Sequence, residues 1–74
     1  MNRGQAEAAL RDGRIKVGTK LRYDGYPDDG TPPGTAKVTK ITRSWADGSI
    51  VTVRVWGQTA VLDCDVNWSF YHLD

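Results

Sequence analysis

Cys64 and His72, the only cysteine and the only histidine of this 74-residue chain, are its first candidates for chemistry. A thiolate nucleophile needs a base beside it and a third group that orients the base. On neighbouring strands the two side chains could meet, but no residue stands out as the orienting group or the oxyanion donor. We therefore favour Cys64 as a core residue in phase with Ala60 and Leu62, with His72 partly exposed, and we predict no catalytic residues.

The carboxylates form two further groups. Asp63 and Asp65 are close enough in sequence for an acid–base pair, although charge that keeps an exposed strand edge soluble explains them better. Asp24, Asp28 and Asp29 lie in one loop without the ligand spacing or the terminal bidentate Glu of an EF-hand. One cysteine and one histidine fall short of a zinc site. We predict no metal, no cofactor and no enzymatic activity.

The seven aromatic residues are typical of a binding surface. A domain of this size buries about three or four of them, and Trp, Tyr and Arg dominate binding hot spots. Trp45 lies in a turn and Trp56 shares a strand face with Arg54, so we expect these three residues and Tyr26 to contact a protein partner. The alternative for Trp56 is that it covers the N-terminal helix or the open end of the fold.

The basic residues support a second function, which is nucleic-acid binding. Lys37, Lys40 and Arg43 lie along one segment, with Arg54 on the next, and Tyr23 or Trp45 is available to stack on bases. The net charge of +1 gives no bulk attraction to a polyanion. We therefore rank a protein partner first, for an adaptor, regulator or inhibitor, and nucleic acid second.

Length and composition predict one domain over residues 1–74. The chain is 39% hydrophobic and 26% charged, which is typical of globular proteins, and no apolar run approaches the roughly 20 residues of a membrane helix. Its single cysteine excludes the intramolecular disulfide that small secreted domains usually need. We expect a complete cytoplasmic gene product that does not bind membranes and is similar in character to small phage and mobile-element proteins.

The N-terminal segment has the pattern of a capped helix over residues 2–13. Asn2 is a typical N-cap, and Gln5 stands three residues later as the partner of a capping box. The apolar positions that follow have helical spacing. They are Ala6, Ala9 and Leu10.

Beyond residue 15 the apolar period changes to two, which predicts short strands. Three of them follow one another through tight turns, with Asp47–Gly48 as the strongest turn signal. A bulge near Thr39–Lys40 would bring Ile41 into phase with the core. The predicted strands are Leu21–Tyr23, Thr35–Arg43, Ser49–Trp56, Thr59–Cys64 and Phe70–Leu73. The predicted core positions are Leu21, Val38, Ile41, Val51, Val53, Val55 and Leu62.

Two segments carry a family resemblance. The first pattern, from Gly18 to Ile41, resembles the KOW-type half of SH3-like barrels, and its matching residues are Gly18, Leu21, Tyr23, Gly34, Ala36, Val38 and Ile41. Asp28 and Asp29 stand where that family has basic loop residues. The second segment, Leu21–Tyr26, looks like the Ala-Leu-Tyr-Asp-Tyr signature of peptide-binding SH3 domains, which implies docking of proline-rich ligands. The paired tryptophans of those domains have no counterpart.

These elements predict a mainly β fold, a small SH3-like barrel of about five short antiparallel strands. The barrel is expected over residues 15–73, because a sheet this small protects its edges best by curling on itself. The helix over residues 2–13 would cap one open end.

Overall fold

The computed structural model describes residues 1–44 and 48–73. Its elements follow in chain order as a helix, four strands, a single helical turn and a last strand. Their bounds are α1 Arg3–Arg11, β1 Lys20–Tyr23, β2 Gly34–Ser44, β3 Gly48–Val55, β4 Gln58–Leu62, α2 Asp65–Trp68 and β5 Tyr71–Leu73. The mainly β class with a short N-terminal helix is confirmed.

All five strands form one antiparallel sheet in the order β4-β3-β2-β1-β5. The long strand β2 joins its two halves, since it pairs with β1 through Gly34–Lys37 and with β3 through Lys37–Ser44. The register shifts between Val38 and Lys40, which confirms the predicted bulge. Because one extra residue lies there, both Val38 and Ile41 face the core.

The core lies on one face of the sheet and has the predicted phase. Val51, Val53 and Val55 are buried, and the tightly packed positions include Leu21, Val38 and Leu62. Ile41 is partly buried against this cluster. Trp68 also belongs to this core, with 1% of its surface exposed.

Helix α1 begins with the predicted capping box. The Asn2 side chain accepts a hydrogen bond from the Gln5 backbone N–H, and the Gln5 side chain accepts one from the Asn2 backbone N–H. Its Ala6, Ala9 and Leu10 join the core. The Glu7 carboxylate accepts hydrogen bonds from the backbone N–H and the hydroxyl of buried Ser49, at 2.9 and 3.3 Å. The helix is therefore fastened to the start of β3.

The loop between β1 and β2 is more ordered than its prolines and glycines predict. Pro27–Asp29 form one 3₁₀ turn. The backbone groups of Tyr26 and Thr31 exchange hydrogen bonds of 3.0 and 3.1 Å, and the Tyr26 ring packs edge-on against Phe70 with centroids 5.2 Å apart. The ends of the loop are therefore hydrogen-bonded to each other, and Tyr26 packs on the rest of the fold through Phe70.

The prediction that β3 runs to Trp56 was wrong by one residue. Val55 pairs with Gln58 across a two-residue turn formed by Trp56 and Gly57, and both have positive φ, at 52° and 72°. This is the backbone of a type I′ turn, whose twist matches that of the flanking strands. Trp56 is therefore a turn residue that holds a left-handed conformation.

The predicted Asp47–Gly48 turn falls largely outside the described residues. Within residues 1–44 and 48–73, no helix has both the length and the apolar character needed to span a bilayer.

Candidate functional site

One face of the sheet carries a set of cations that we call the basic face. Leu21, Ala36 and Val53 are fully buried, so the residues that alternate with them project from the opposite side. The basic face consists of Lys20, Arg22, Lys37, Lys40 and Arg54, all exposed.

Three of these cations lie in a single row across the sheet. Lys20 pairs with Lys37 across β1 and β2, and Lys37 pairs with Arg54 across β2 and β3. Directly opposed side chains have Cβ atoms about 5 Å apart, and like charges placed there destabilise a sheet. The fold therefore maintains a row of repelling charges that its own stability does not require.

Acidic residues do not compensate this row. Within the described strands β1–β5, no residue is Asp or Glu, whereas six residues are Lys or Arg, namely Lys20, Arg22, Lys37, Lys40, Arg43 and Arg54. The Arg22 side chain forms an ion pair with Asp24, with 3.8 Å between Nε and Oδ1. Within residues 1–44 and 48–73, the other four cations of the basic face make no ion pair. The net charge of +1 conceals this segregation.

An aromatic pocket lies next to the basic face. Its cavity of about 310 Å³ opens between the β1–β2 loop, the β3–β4 hairpin and the segment around β5. Five aromatic side chains line it, and these are Tyr23, Tyr26, Trp56, Phe70 and Tyr71. Asp29, Gln58 and Asn67 add polar groups.

The indole of Trp56 is held in place although 57% of the residue is exposed. Its Nε1–H donates a 2.9 Å hydrogen bond to the Pro32 carbonyl. Its ring lies against Gly34, where an added Cβ would stand 2.9 Å from three indole atoms. Trp56 therefore rests on the β1–β2 loop and on the start of β2. These contacts do not involve helix α1, which was the alternative surface for this side chain.

The inner wall of the pocket is made by two tyrosines. Tyr23 and Tyr71 stack with ring centroids 5.0 Å apart. Burial, and secondarily the neighbouring Tyr23, raises the pKa of Tyr71 above its ordinary value. The phenol of Tyr71 therefore stays uncharged at neutral pH.

The sequence-predicted residues divide between these two places. Tyr26 and Trp56 line the pocket, whereas Arg54 belongs to the basic face beside Lys37. Trp45, the fourth residue of the predicted protein-binding surface, lies outside the described residues.

The predicted nucleic-acid residues divide as well. Lys37 and Lys40 share the basic face with Arg54, but exposed Arg43 pairs with Ser49 and lies in the opposite phase of the sheet. Tyr23 has only 8% of its surface exposed and belongs to the pocket wall. The expectation that it stacks on bases from the basic face needs this correction, because strand alternation turns it inward.

The predicted core position of Cys64 was wrong. Strand β4 ends at Leu62, so its alternation stops there, and Cys64 is an exposed residue before α2 whose thiol donates to Asn67 Oδ1 at 3.0 Å. His72 is engaged with Asp24 and with the Met1 amine. Within residues 1–44 and 48–73, no three His, Cys, Asp or Glu side chains gather as metal ligands would.

Several members of both sites were missed from the sequence. Lys20 and Arg22 alternate with Leu21 and Tyr23, so their outward direction was readable, but their alignment with Lys37 depends on the β1–β2 register. The pocket positions of Phe70 and Tyr71 depend on β5 pairing with β1, which no local pattern indicates.

Comparison of the chain with family models, with curated proteins and with solved structures gives no significant match.

Proposed function

We propose that this protein is a non-catalytic nucleic-acid-binding module whose basic face contacts the phosphate backbone. The observation that supports it best is the Lys20–Lys37–Arg54 row. Opposed like charges cost stability in the free protein, and phosphates would remove that cost by placing anions among the cations. A sheet face with repeated Lys and Arg side chains also suits a charge that recurs along a polymer.

The salt dependence of binding tests this proposal. Four cations that make no ion pair with the described residues predict a slope of log K against log salt of about −3 on single strands. We expect RNA and DNA oligonucleotides to shift in gels at 50 mM salt and to dissociate as salt rises to 200 mM. Lys37→Ala should make the slope shallower by about 0.7, because one phosphate contact is lost.

Arg11→Ala is the matched control. Arg11 is exposed in the last turn of α1, so its loss changes the net charge equally without touching the basic face. The slope of this variant should equal that of the wild type. Absence of binding at 50 mM salt would contradict the proposal.

A protein partner is the second candidate, and the convergence of Tyr26 and Trp56 on one pocket favours it. Lysate treated with nuclease would be passed over immobilised wild-type protein and over Trp56→Asn. Asn is chosen because it tolerates the left-handed backbone of the turn. A protein retained only by the wild type would support this candidate, and equal retention by both would count against it.

We further propose that the sheet belongs to an SH3-like barrel of the KOW type, acting in the cytoplasm. The strand order and the bulged β2 shared between two half-sheets support the barrel. The single cysteine, which has no partner for an intramolecular disulfide, supports a reducing compartment.

A further inference from the structure

We infer that the aromatic pocket accepts one unpaired nucleobase of the strand whose phosphates lie on the basic face. This inference rests on the proposed nucleic-acid function and gives it a second contact of different chemistry. It concerns a base that is free of a duplex, since a paired base has no face or edge available to enter a cavity.

The lining of the pocket suits a base and not a phosphate. Trp56 is exposed and Tyr26 and Phe70 are partly exposed, so three of the five aromatic rings offer surfaces for stacking, and single-stranded nucleic acid is commonly held by such platforms. None of the lining residues, all of which lie in the described part of the chain, is Lys, Arg or His. A volume of about 310 Å³ is at the lower end of the range of small-ligand sites, roughly 300–1,000 Å³.

Polar groups at the pocket match the edges of bases. Gln58 and Asn67 carry amides that both donate and accept, and the Asp29 carboxylate accepts. An acidic side chain pairs with the exocyclic amino group of a base. We therefore expect adenine, cytosine or guanine to bind more tightly than uracil or thymine, which lack that group.

The exposed platform is positioned before any ligand arrives. Trp56 adopts φ 52°, which is uncommon for a bulky residue and carries a conformational cost. The hydrogen bond to Pro32 and the contact with Gly34 hold the indole there. A side chain fixed in this way loses little conformational freedom when a base stacks on it.

The pocket and the basic face adjoin at the edge strand β4, although the inner wall of the pocket lies on the opposite side of the sheet. Thr59 lines the pocket and pairs directly with Arg54, which pairs in turn with Lys37. Neighbouring strands lie about 4.8 Å apart, so the first cation is one strand away from the pocket wall. The Arg54 guanidinium donates a 3.4 Å hydrogen bond to the carbonyl of Gly57, in the same turn as Trp56, so we expect a nucleotide whose base stacks on Trp56 to place its phosphate toward Arg54.

The decisive experiment compares two single-stranded DNA oligonucleotides of equal length and charge, one of mixed sequence and one abasic throughout. Binding to the full chain would be measured by fluorescence anisotropy at 50 mM salt. We expect the wild type to bind the strand with bases roughly 10-fold more tightly, a typical effect of losing one stacking contact. Trp56→Asn should abolish this difference and leave the salt slope unchanged.

Val66→Ala is the control, since this side chain is exposed on α2 outside both sites. It should keep the full preference for the strand with bases. Equal binding of both strands by the wild type, or an unchanged preference in Trp56→Asn, would overturn the inference while leaving the phosphate contacts intact.

Failure of the proposed function gives a different result, namely no binding of either strand. The pocket is then tested alone by titrating adenosine and cytidine while the indole N–H resonance of Trp56 is followed by NMR. A shift in the wild type that Tyr26→Ala weakens supports a base site. The absence of a shift overturns the inference. A shift produced equally by a lysine-rich peptide overturns it in favour of a protein partner.

Discussion

At the scale of single residues, Trp56 and Gly34 are close neighbours. A side chain at residue 34 would meet the indole at 2.9 Å, so Gly34→Ala must displace the ring or the strand. We expect a loss of about 1–3 kcal/mol of unfolding free energy, as for other overpacked sites. In a Trp56→Asn background the same change should cost much less, because the obstructing ring is absent.

Urea denaturation of the two single variants and the double variant measures this coupling. Additive effects would show that Gly34 is required for a reason other than the indole. The same variants report on binding, since Gly34→Ala should impair base stacking without removing any aromatic residue.

Tyr71 gives the fold a sensitivity to alkali. The folded protein holds its phenolic proton more tightly than the unfolded chain does, because burial raises the pKa of Tyr71 above 10. The stability associated with this proton is therefore complete below about pH 10 and is lost as pH rises through the folded pKa. Tyr71→Phe should flatten the decline of melting temperature above pH 10.

Tyr26→Phe is the control for that measurement, because it removes a phenol from the same pocket and leaves Tyr71 in place. It should retain the wild-type decline. A decline of equal steepness in Tyr71→Phe would show that other groups cause the alkaline loss.

At the scale of the elements, Glu7 fastens helix α1 to the sheet. Glu7→Ala leaves the N–H and hydroxyl of buried Ser49 without their acceptor, and a buried polar group without a partner costs about 1–3 kcal/mol. Chemical denaturation should show a loss in this range. Asp12→Ala removes an exposed ion pair with Arg14 and should cost less than about 1 kcal/mol; equal losses would refute the anchoring role.

Elements with strong local signals were predictable from the sequence. The capping box of Asn2 and Gln5 and the alternation of Val51, Val53 and Val55 require only neighbouring residues, and both are confirmed. The bulge after Val38 was predictable because Ile41 would otherwise leave the core.

The remaining features depend on contacts between distant segments. Trp56 disfavours a left-handed turn by its own preference, so its position became clear only from the contacts with Pro32 and Gly34. Cys64 is exposed because β4 ends at Leu62. The residues after Leu62 carry no sequence signal that predicts this strand end. The sequence therefore showed which residue types the candidate site contains. It did not show which of them are neighbours, because that depends on the register between strands.

For the whole molecule, the proposed binding at the basic face implies a conflict between stability and binding. Lys37→Glu replaces two opposed like-charge pairs, with Lys20 and with Arg54, by attractive pairs. Cross-strand charge pairs contribute roughly 0.2–1 kcal/mol, so this variant should melt at a higher temperature than the wild type. The same reversal should strongly weaken oligonucleotide binding in anisotropy measurements.

Lys16→Glu makes an equal change in net charge on an exposed loop residue outside the sheet. It should lack the gain in stability and should weaken binding less. A Lys37→Glu variant that is less stable than the wild type would show that the row is not repulsive in the free protein.

Under the proposed function, the segregation of acids from the strands would also govern how a nucleic acid approaches the protein. Long-range attraction accelerates association and falls with ionic strength, and here it originates from the sheet and not from the molecule as a whole, whose charge is +1. Approach from other directions gains little, so few encounters are captured in a wrong orientation. A net charge near zero thus limits non-specific binding, while association from the side of the basic face remains fast.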